Sequence, residues 1–191
     1  LASVNMIIGA SFGGVPSLTA TSGPGLSLMV EGMGLAVASE TPVVVSNVMR
    51  GGPSTGIPTK SEQSDLNIAI YGFHGDAPHI VLSALDIGDC AFTTEWAVYL
   101  TEALQTVAIV LSDQSLGQAR SVTDPPAHPP AGPGRRISES TGDDYHRYRL
   151  TEDAISPMAI PGTPCSTYVA DGLEHTETGT PSTASSDHEA Q

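Results

Sequence analysis

The sequence predicts an α/β protein with a mainly parallel, doubly wound sheet that is incomplete and is followed by an irregular C-terminal extension. Two observations support this prediction. Residues 1–120 alternate between short β-branched apolar runs and longer amphipathic segments, in the order strand, glycine turn, helix, strand. Residues 121–191 hold 9 of the 15 prolines and few apolar anchors, so this part alone would bury little core.

The individual elements follow from apolar spacing and from turn residues. Leu1, Val4, Ile7 and Ile8 fall on one helical face, so the chain is expected to begin inside a helix. The run PVVVSNVM at 42–49 gives the strongest strand signal, because a parallel strand buried on both faces is almost continuously apolar. The other predicted elements are a strand at 17–21, a helix at 26–38, a loop at 50–65, a strand at 79–85, a helix at 89–105 and a strand at 106–111.

Three parts are predicted along the chain. The proline-rich run at 124–134 cannot be the interior of a helix, because each proline removes an N–H donor and fixes φ. We therefore expect an α/β domain at 1–120, truncated at its N-terminal side, a stiff Pro/Gly-rich linker at 121–150 and an irregular segment at 151–191. The abrupt start and the polar end lead us to expect a fragment of a longer protein.

Charge and cysteine content exclude several classes of function. The 191 residues include 7 Lys and Arg against 21 Asp and Glu, a formal net charge of −14, which excludes a broad nucleic-acid surface. No apolar stretch approaches the ~20 residues of a membrane span. The two cysteines, Cys90 and Cys165, form no CxxC pair, and no histidine group has a recognised ligand spacing, so no metal site is expected on this chain. A reducing, cytoplasmic setting follows as the default.

The turn after the first strand is one of two candidate sites. Ligands of parallel α/β sheets bind beyond the carboxyl ends of the strands, where this turn lies. Glycines allow close backbone approach, and a helix N-terminus offers unpaired N–H groups, so the turn can face a cofactor. A tight strand-to-helix turn without a ligand explains the same residues equally well. The residues of this turn are Thr21, Ser22, Gly23, Pro24 and Gly25.

The loop at 50–65 is the second candidate site. Arg50 stands at a strand end on a Gly/Pro-rich loop in a chain poor in cations, and its planar guanidinium matches a carboxylate in two parallel hydrogen bonds. This arrangement indicates an anionic substrate, with the hydroxyls of Thr55 and Thr59 nearby. The alternative is an ordinary ion pair between Arg50 and a local acid such as Glu62 or Asp65.

Three strings resemble the alpha subunit of the 2-oxoacid:ferredoxin oxidoreductases, and most closely its 2-oxoglutarate synthase type. The strings are TATSGPGLSLM at 19–29, RGGPSTGIPTKSEQ at 50–63 and LSDQ at 111–114. Segments 155–163 and 172–177 are also similar to that subunit, so the likeness covers nearly the whole chain. The resemblance implies that residues 1–120 are the domain that holds the aminopyrimidine of thiamine diphosphate.

The resemblance also implies the reaction and the partners. A beta subunit shares the thiamine diphosphate and carries Mg²⁺ and an iron–sulfur cluster, neither of which lies on this chain. The enzyme decarboxylates 2-oxoglutarate or a related 2-oxoacid oxidatively, passes electrons to ferredoxin and transfers the acyl group to coenzyme A, or runs in reverse. The protein positions and tunes the cofactor.

Carried over to this sequence, Arg50 and Thr59 resemble the catalytic pair that engages the 2-oxo-carboxylate end of the substrate, with Thr55 nearby. Residues 21–25 resemble the turn beside the pyrimidine ring. The family's Tyr-Pro-Ile-Thr-Pro loop and its activating Glu are expected to precede Leu1, so the fragment alone is expected to be inactive. Two alternatives stay open: a non-catalytic assembly module, and a pyruvate or branched 2-oxoacid enzyme.

Overall fold

Short strands and longer helices alternate in the first 118 residues. A computed structural model describes residues 1–139 and 142–191. Its elements are α1 (Ala2–Phe12), β1 (Leu18–Thr21), α2 (Gly23–Ala38), β2 (Val43–Met49), α3 (Leu66–Tyr71), β3 (Ile80–Ser83), α4 (Asp89–Leu104), β4 (Val107–Asp113), α5 (Gln114–Gln118), a 3-10 turn (Gly142–Asp144) and α6 (Ser185–Ala190).

Four parallel strands form one sheet in the order β1-β2-β4-β3. The central strands β2 and β4 pair in register from Val43–Val107 to Met49–Asp113. Residues of one face, such as Val45 and Ile109, pack with apolar residues of α1, α2 and α3. Val44 and Val110 of the other face pack with Ala97 of α4. The predicted parallel α/β architecture with helices on both faces is confirmed.

Three predicted boundaries were wrong by two or three residues. Strand β3 ends at Ser83 rather than at residue 85, because the N–H of Leu85 donates to the Asp89 side chain at the start of α4 instead of to a strand. Helix α2 begins at Gly23 rather than at residue 26, because Pro24 fits the first helical turn, where its missing N–H has no helical partner to lose. Strand β4 continues to Asp113 rather than ending at 111, because Ser112 and Asp113 pair with Val48 and Met49.

Three short helices were not predicted from the sequence. Helix α6 lies in the segment predicted to be irregular and buries no residue. Helix α3 buries only Ala69 and leaves Leu66 and Tyr71 exposed, so its residues show no amphipathic spacing. Helix α5 has five residues and depends on a cap: the side chain of Asp113 accepts a hydrogen bond from the N–H of Leu116.

Two buried arginines attach the C-terminal segment to the sheet domain. Arg135 Nη2 lies 2.6 Å from Glu102 Oε1 of α4, and its Nη1 donates to the carbonyl oxygen of Ser11 at the end of α1. Arg147 is fully buried and its Nη1 lies 2.7 Å from Glu40 Oε2. Ion pairs thus supplement the few apolar anchors that the composition offers. The linker predicted at 121–150 includes residues 140 and 141, which lie outside the described residues.

Candidate active site

The predicted site residues lie at one edge of the sheet. Because all four strands are parallel, the turn after β1, the loop after β2 and the start of α5 after β4 extend from the same edge. Thr21 of β1 and Asn47 of β2 are register partners, and Asn47 in turn pairs with Leu111 of β4. The structure therefore brings both candidate segments to the edge where ligands of such sheets bind.

The turn at residues 21–25 offers few free N–H groups to an anion, and its glycines pack against side chains of this chain. The N–H groups of Gly25 and Leu26 donate to the carbonyl oxygen of Ser22 at 2.8 and 3.0 Å, and Pro24 has no N–H, so few donors are left for a phosphate. A Cβ on Gly25 would lie 1.9 Å from Thr21 Oγ1, so this position requires glycine in the observed conformation. All five residues of the turn are partly exposed.

A buried amide, to which the sequence assigned no role, and the carboxylate of Asp65, considered from the sequence only as a partner of Arg50, lie behind this turn. Asn47 is fully buried and its Nδ2 donates to Asp65 Oδ2 at 2.8 Å. The Asp65 carboxylate lies against the start of α2, since a Cβ on Gly23 would be 3.0 Å from either oxygen. A carboxylate there is favoured by the positive end of the helix dipole. Asp65, the last residue of the 50–65 loop, thus joins that loop to the turn at 21–25.

Arg50 lacks an acidic partner among the residues that the structure describes. Neither Glu62 nor Asp65 pairs with it: Glu62 Oε2 accepts from the N–H of Gly52 at 3.2 Å, and Asp65 bonds to Asn47. Within residues 1–139 and 142–191, no ion pair involves Arg50, whose Nη2 donates only to the carbonyl oxygen of Thr55 at 3.2 Å and whose buried Nε has no partner. The local ion pair considered for Arg50 is therefore not formed.

The 50–65 loop folds back on itself, so that Thr59 comes near Arg50 in space. The N–H of Gly51 donates to the carbonyl oxygen of Lys60 at 3.1 Å, and Gly51 also pairs with Ile57. Gly56 has φ +60°, and a Cβ there would lie 1.7 Å from the carbonyl oxygen of Gly51, so the turn requires glycine. The side chains of Thr55 and Thr59 are exposed to solvent.

The far arm of the loop is bonded to the end of β4. Gln63 Nε2 donates to Asp113 Oδ2 at 2.7 Å. The hydrogen bond from the Leu116 N–H, followed by that from Gln63, lowers the pKa of the Asp113 carboxyl, so this group is ionised at neutral pH. Asp113 lies in the string at 111–114 that resembles the family, but no role followed for it from the sequence. Its place between a buried strand and a short helix is an N-cap signal.

No hydrogen bond in the described part of the chain joins Arg50 directly to residues 21–25; the loop that carries Arg50 contacts this turn at Asp65, which lies against Gly23 and bonds to Asn47. Asn47 Oδ1 is buried without a hydrogen-bond partner among the described residues, on the strand next to Thr21. The described residues contain no group of three or more His, Cys, Asp and Glu side chains that could hold a metal ion. None of their helices has the length and apolar character needed to cross a bilayer.

A cleft of about 810 Å³ lies at the opposite edge of the sheet. The C-terminal half of α2, residues 73–78 before β3 and residues 171–175 line it. Parallel sheets bind ligands at their carboxyl edge, so this cleft is not part of the candidate site.

Curated proteins similar to this chain are alpha subunits of oxidoreductases. The chain is 43% identical over 182 residues to 2-oxoacid:ferredoxin oxidoreductase 1, subunit alpha, of Sulfurisphaera tokodaii, covering 94% of this chain and 29% of that protein. It is 40% identical over 190 residues to the 2-oxoglutarate synthase subunit KorA of Archaeoglobus fulgidus, covering 99% of this chain and 49% of that subunit. The chain thus spans half or less of the length of these relatives.

A solved structure shares both the fold and the sequence. The 2-oxoglutarate:ferredoxin oxidoreductase from Magnetococcus marinus, determined with 2-oxoglutarate, coenzyme A and succinyl-CoA bound, superposes with a TM-score of 0.89 at 51% identity, covering 98% of this chain and 33% of that one. The family model of the thiamine-diphosphate-binding domain of pyruvate flavodoxin/ferredoxin oxidoreductases matches residues 1–191. The chain belongs to this family.

Proposed function

We propose that this chain is the pyrimidine-binding part of the alpha subunit of a cytoplasmic 2-oxoglutarate:ferredoxin oxidoreductase. Its partners are a beta subunit, ferredoxin and coenzyme A. The 51% identity to an oxidoreductase with 2-oxoglutarate and succinyl-CoA bound supports 2-oxoglutarate as the substrate rather than pyruvate or a branched 2-oxoacid. The free thiols of Cys90 and Cys165 suit a reducing compartment.

The proposal rests on the guanidinium of Arg50, which forms no ion pair with an acidic side chain in the described part of the chain. Arg50 binds the carboxylate next to the 2-oxo group in two parallel hydrogen bonds and so orients the bond that breaks when CO₂ leaves. Thr59 supplies a hydroxyl donor on the opposing arm of the same loop, with Thr55 beside it. Two hydrogen bonds to a charged group contribute about 3–6 kcal/mol, which corresponds to a factor of about 10²–10⁴ in kcat/KM.

The turn at residues 21–25 holds the pyrimidine ring of thiamine diphosphate. When bound, this cofactor supplies the carbanion chemistry that removes CO₂ from a 2-oxoacid. The turn is partly exposed and lies at the carboxyl edge of the parallel sheet, where ligands of such sheets bind, which supports this assignment. Few N–H groups are free at the start of α2. This scarcity supports the assignment of the diphosphate and Mg²⁺ to the beta subunit. The beta subunit also carries the iron–sulfur cluster.

The test is turnover by the complete enzyme, expressed together with its beta subunit. Viologen or ferredoxin reduction is measured with coenzyme A and, in turn, 2-oxoglutarate, pyruvate and a branched 2-oxoacid. We expect turnover with 2-oxoglutarate. Arg50→Ala should lower kcat/KM for 2-oxoglutarate by about 10²–10⁴ while the subunits still assemble.

The matched control is Arg120→Ala, which removes the same charge from an exposed position, and kcat/KM should not change. Normal kinetics for Arg50→Ala would reject the assignment of Arg50. An assembled complex without turnover on any of the three 2-oxoacids would favour a non-catalytic assembly module.

A further inference from the structure

Three consecutive residues at the start of α5 hold the far arm of the 50–65 loop, and we call them the α5 clamp. Asp113 Oδ2 accepts from Gln63 Nε2 at 2.7 Å. Gln114 Nε2 donates to the carbonyl oxygen of Pro58 at 2.9 Å, and Ser115 Oγ donates to Ser61 Oγ at 2.8 Å. The clamp consists of Asp113, Gln114 and Ser115, and it binds the segment on which Thr59 stands.

The two arms of the loop are therefore attached to different strands. Arg50 directly follows β2, whereas Thr59 lies between Pro58, which the clamp holds, and Lys60, whose carbonyl oxygen bonds to Gly51. The distance between Arg50 and Thr59 thus depends both on the bond across the loop and on the clamp at the end of β4. Loss of the clamp would leave the Thr59 arm tied to β2 alone.

Asp113 is the most constrained member of the clamp. Asp113 is only 8% exposed. Its Oδ1 caps α5 by accepting a hydrogen bond from the N–H of Leu116 at 2.9 Å, and its Oδ2 accepts a hydrogen bond from Gln63. Hydrogen bonds to an ionised carboxylate are shorter and stronger than those between neutral groups. The bond to Gln63 is therefore the strongest attachment of the loop to β4.

We propose that Asp113 and Gln63 are positioning residues for the 2-oxoacid: their hydrogen bond sets the place of Thr59 relative to Arg50 without contact to the substrate. This inference rests on the proposed function. A displaced hydroxyl no longer forms its full hydrogen bond to the substrate, so the substrate binds less tightly. Breaking the bond should therefore raise KM for the 2-oxoacid and leave KM for coenzyme A unchanged.

The test exchanges the two partners in the complete enzyme. Gln63→Glu places a second carboxylate against Asp113, so the two groups repel each other at neutral pH. The double variant Asp113→Asn/Gln63→Glu restores a charge-assisted bond with reversed polarity, because the introduced amide can still cap α5 through its oxygen while its nitrogen donates to the new carboxylate. The matched control is Gln118→Glu, the same change at an exposed position of α5.

We expect Gln63→Glu to raise KM for 2-oxoglutarate about tenfold or more, and the double variant to return it to within about threefold of the wild-type value. KM for coenzyme A should stay constant throughout, and Gln118→Glu should behave as wild type. An unchanged KM in Gln63→Glu, or a double variant as impaired as Gln63→Glu, overturns the inference. If Gln63→Glu fails to assemble, the double variant must assemble and turn over, and its failure also overturns the inference.

A second measurement separates this inference from the proposed function. Amide hydrogen exchange at Ile57 and Lys60, whose N–H groups bond to the carbonyl oxygens of Gly51 and Ile57, reports the order of the loop without turnover. Exchange should be faster in Gln63→Glu and recover in the double variant. If the wild-type enzyme turns over no 2-oxoacid but the variants show this exchange pattern, the proposed function is rejected and the role of the clamp in ordering the loop stands. Unchanged exchange would reject the clamp.

Discussion

Replacement of Arg147 by methionine should destabilise the protein severely, because it leaves three oxygens without their donor. Arg147 Nη1 lies 2.7 Å from Glu40 Oε2, and its Nη2 donates to the carbonyl oxygens of Ser39 at 2.9 Å and Glu40 at 3.0 Å. These carbonyls end helix α2, where a cation also opposes the negative end of the helix dipole. Methionine keeps much of the volume and none of the donors.

The expected loss in the free energy of unfolding is about 3–5 kcal/mol, the usual cost of removing one partner of a buried ion pair. The lower end is favoured because the Glu40 side chain is 30% exposed and can regain water. For a chain of this size, each kcal/mol lost from the free energy of unfolding lowers Tm by about 2–4 °C. A loss at the lower end of the range, about 3 kcal/mol, should therefore lower Tm by about 6–12 °C. Urea unfolding followed by circular dichroism gives the free energy, and a thermal scan gives Tm.

Two further variants test whether the lost hydrogen bonds and the unpaired carboxylate cause the loss of stability. Arg120→Met removes an exposed arginine and should change the free energy of unfolding by less than about 0.5 kcal/mol. The double variant Arg147→Met/Glu40→Met removes both charges and should lose less than the single variant Arg147→Met, because no carboxylate stays buried against an apolar group. A Tm for Arg147→Met within about 2 °C of wild type would refute the argument.

Two other predictions follow from the carboxyl edge of the sheet. Gly25→Ala places a Cβ 1.9 Å from Thr21 Oγ1 and should lower the free energy of unfolding by about 1–3 kcal/mol. Adding Thr21→Ala removes that oxygen and should recover most of the loss in a urea titration; a Gly25→Ala variant as stable as wild type would contradict the observed packing. Because its folded pKa is lowered, ionised Asp113 stabilises the fold above its unfolded pKa, and this contribution is lost as the pH falls through the lower folded pKa. Tm measured between about pH 5 and pH 2 should therefore fall less steeply in Asp113→Asn than in wild type, and parallel curves would exclude the role of this carboxylate.

The central strands and the place of the site were predictable from local sequence. The apolar run at 42–49 gave the strongest signal for a strand buried on both faces, and the glycines at 51 and 52, just beyond its end, indicated a loop at a strand end. Helix α2 was placed three residues late because Gly23, Pro24 and Gly25 are typical of a turn, although a proline also suits the first turn of a helix.

The polar contacts behind the site could not be derived from the sequence. Asn47 stands inside an apolar strand on the face that packs against α1 and α2, which marks it as unusual, but its partner Asp65 lies 18 residues away. The partners Gln63 and Asp113 are 50 residues apart. Spacing rules describe neighbours within one helix or strand, whereas these pairs form only when the topology brings separate strand ends together.

The buried arginines also bear on the order in which the chain folds. Arg135 reaches an oxygen 124 positions earlier, and Arg147 reaches one 108 positions earlier. During synthesis, Glu40 and Glu102 therefore leave the ribosome well before the arginines with which they pair. Contacts of such long sequence separation slow folding, because the entropy of closing the chain is lost before the bonds form. We expect the C-terminal segment to attach to the sheet domain late in folding, when both arginines have docked.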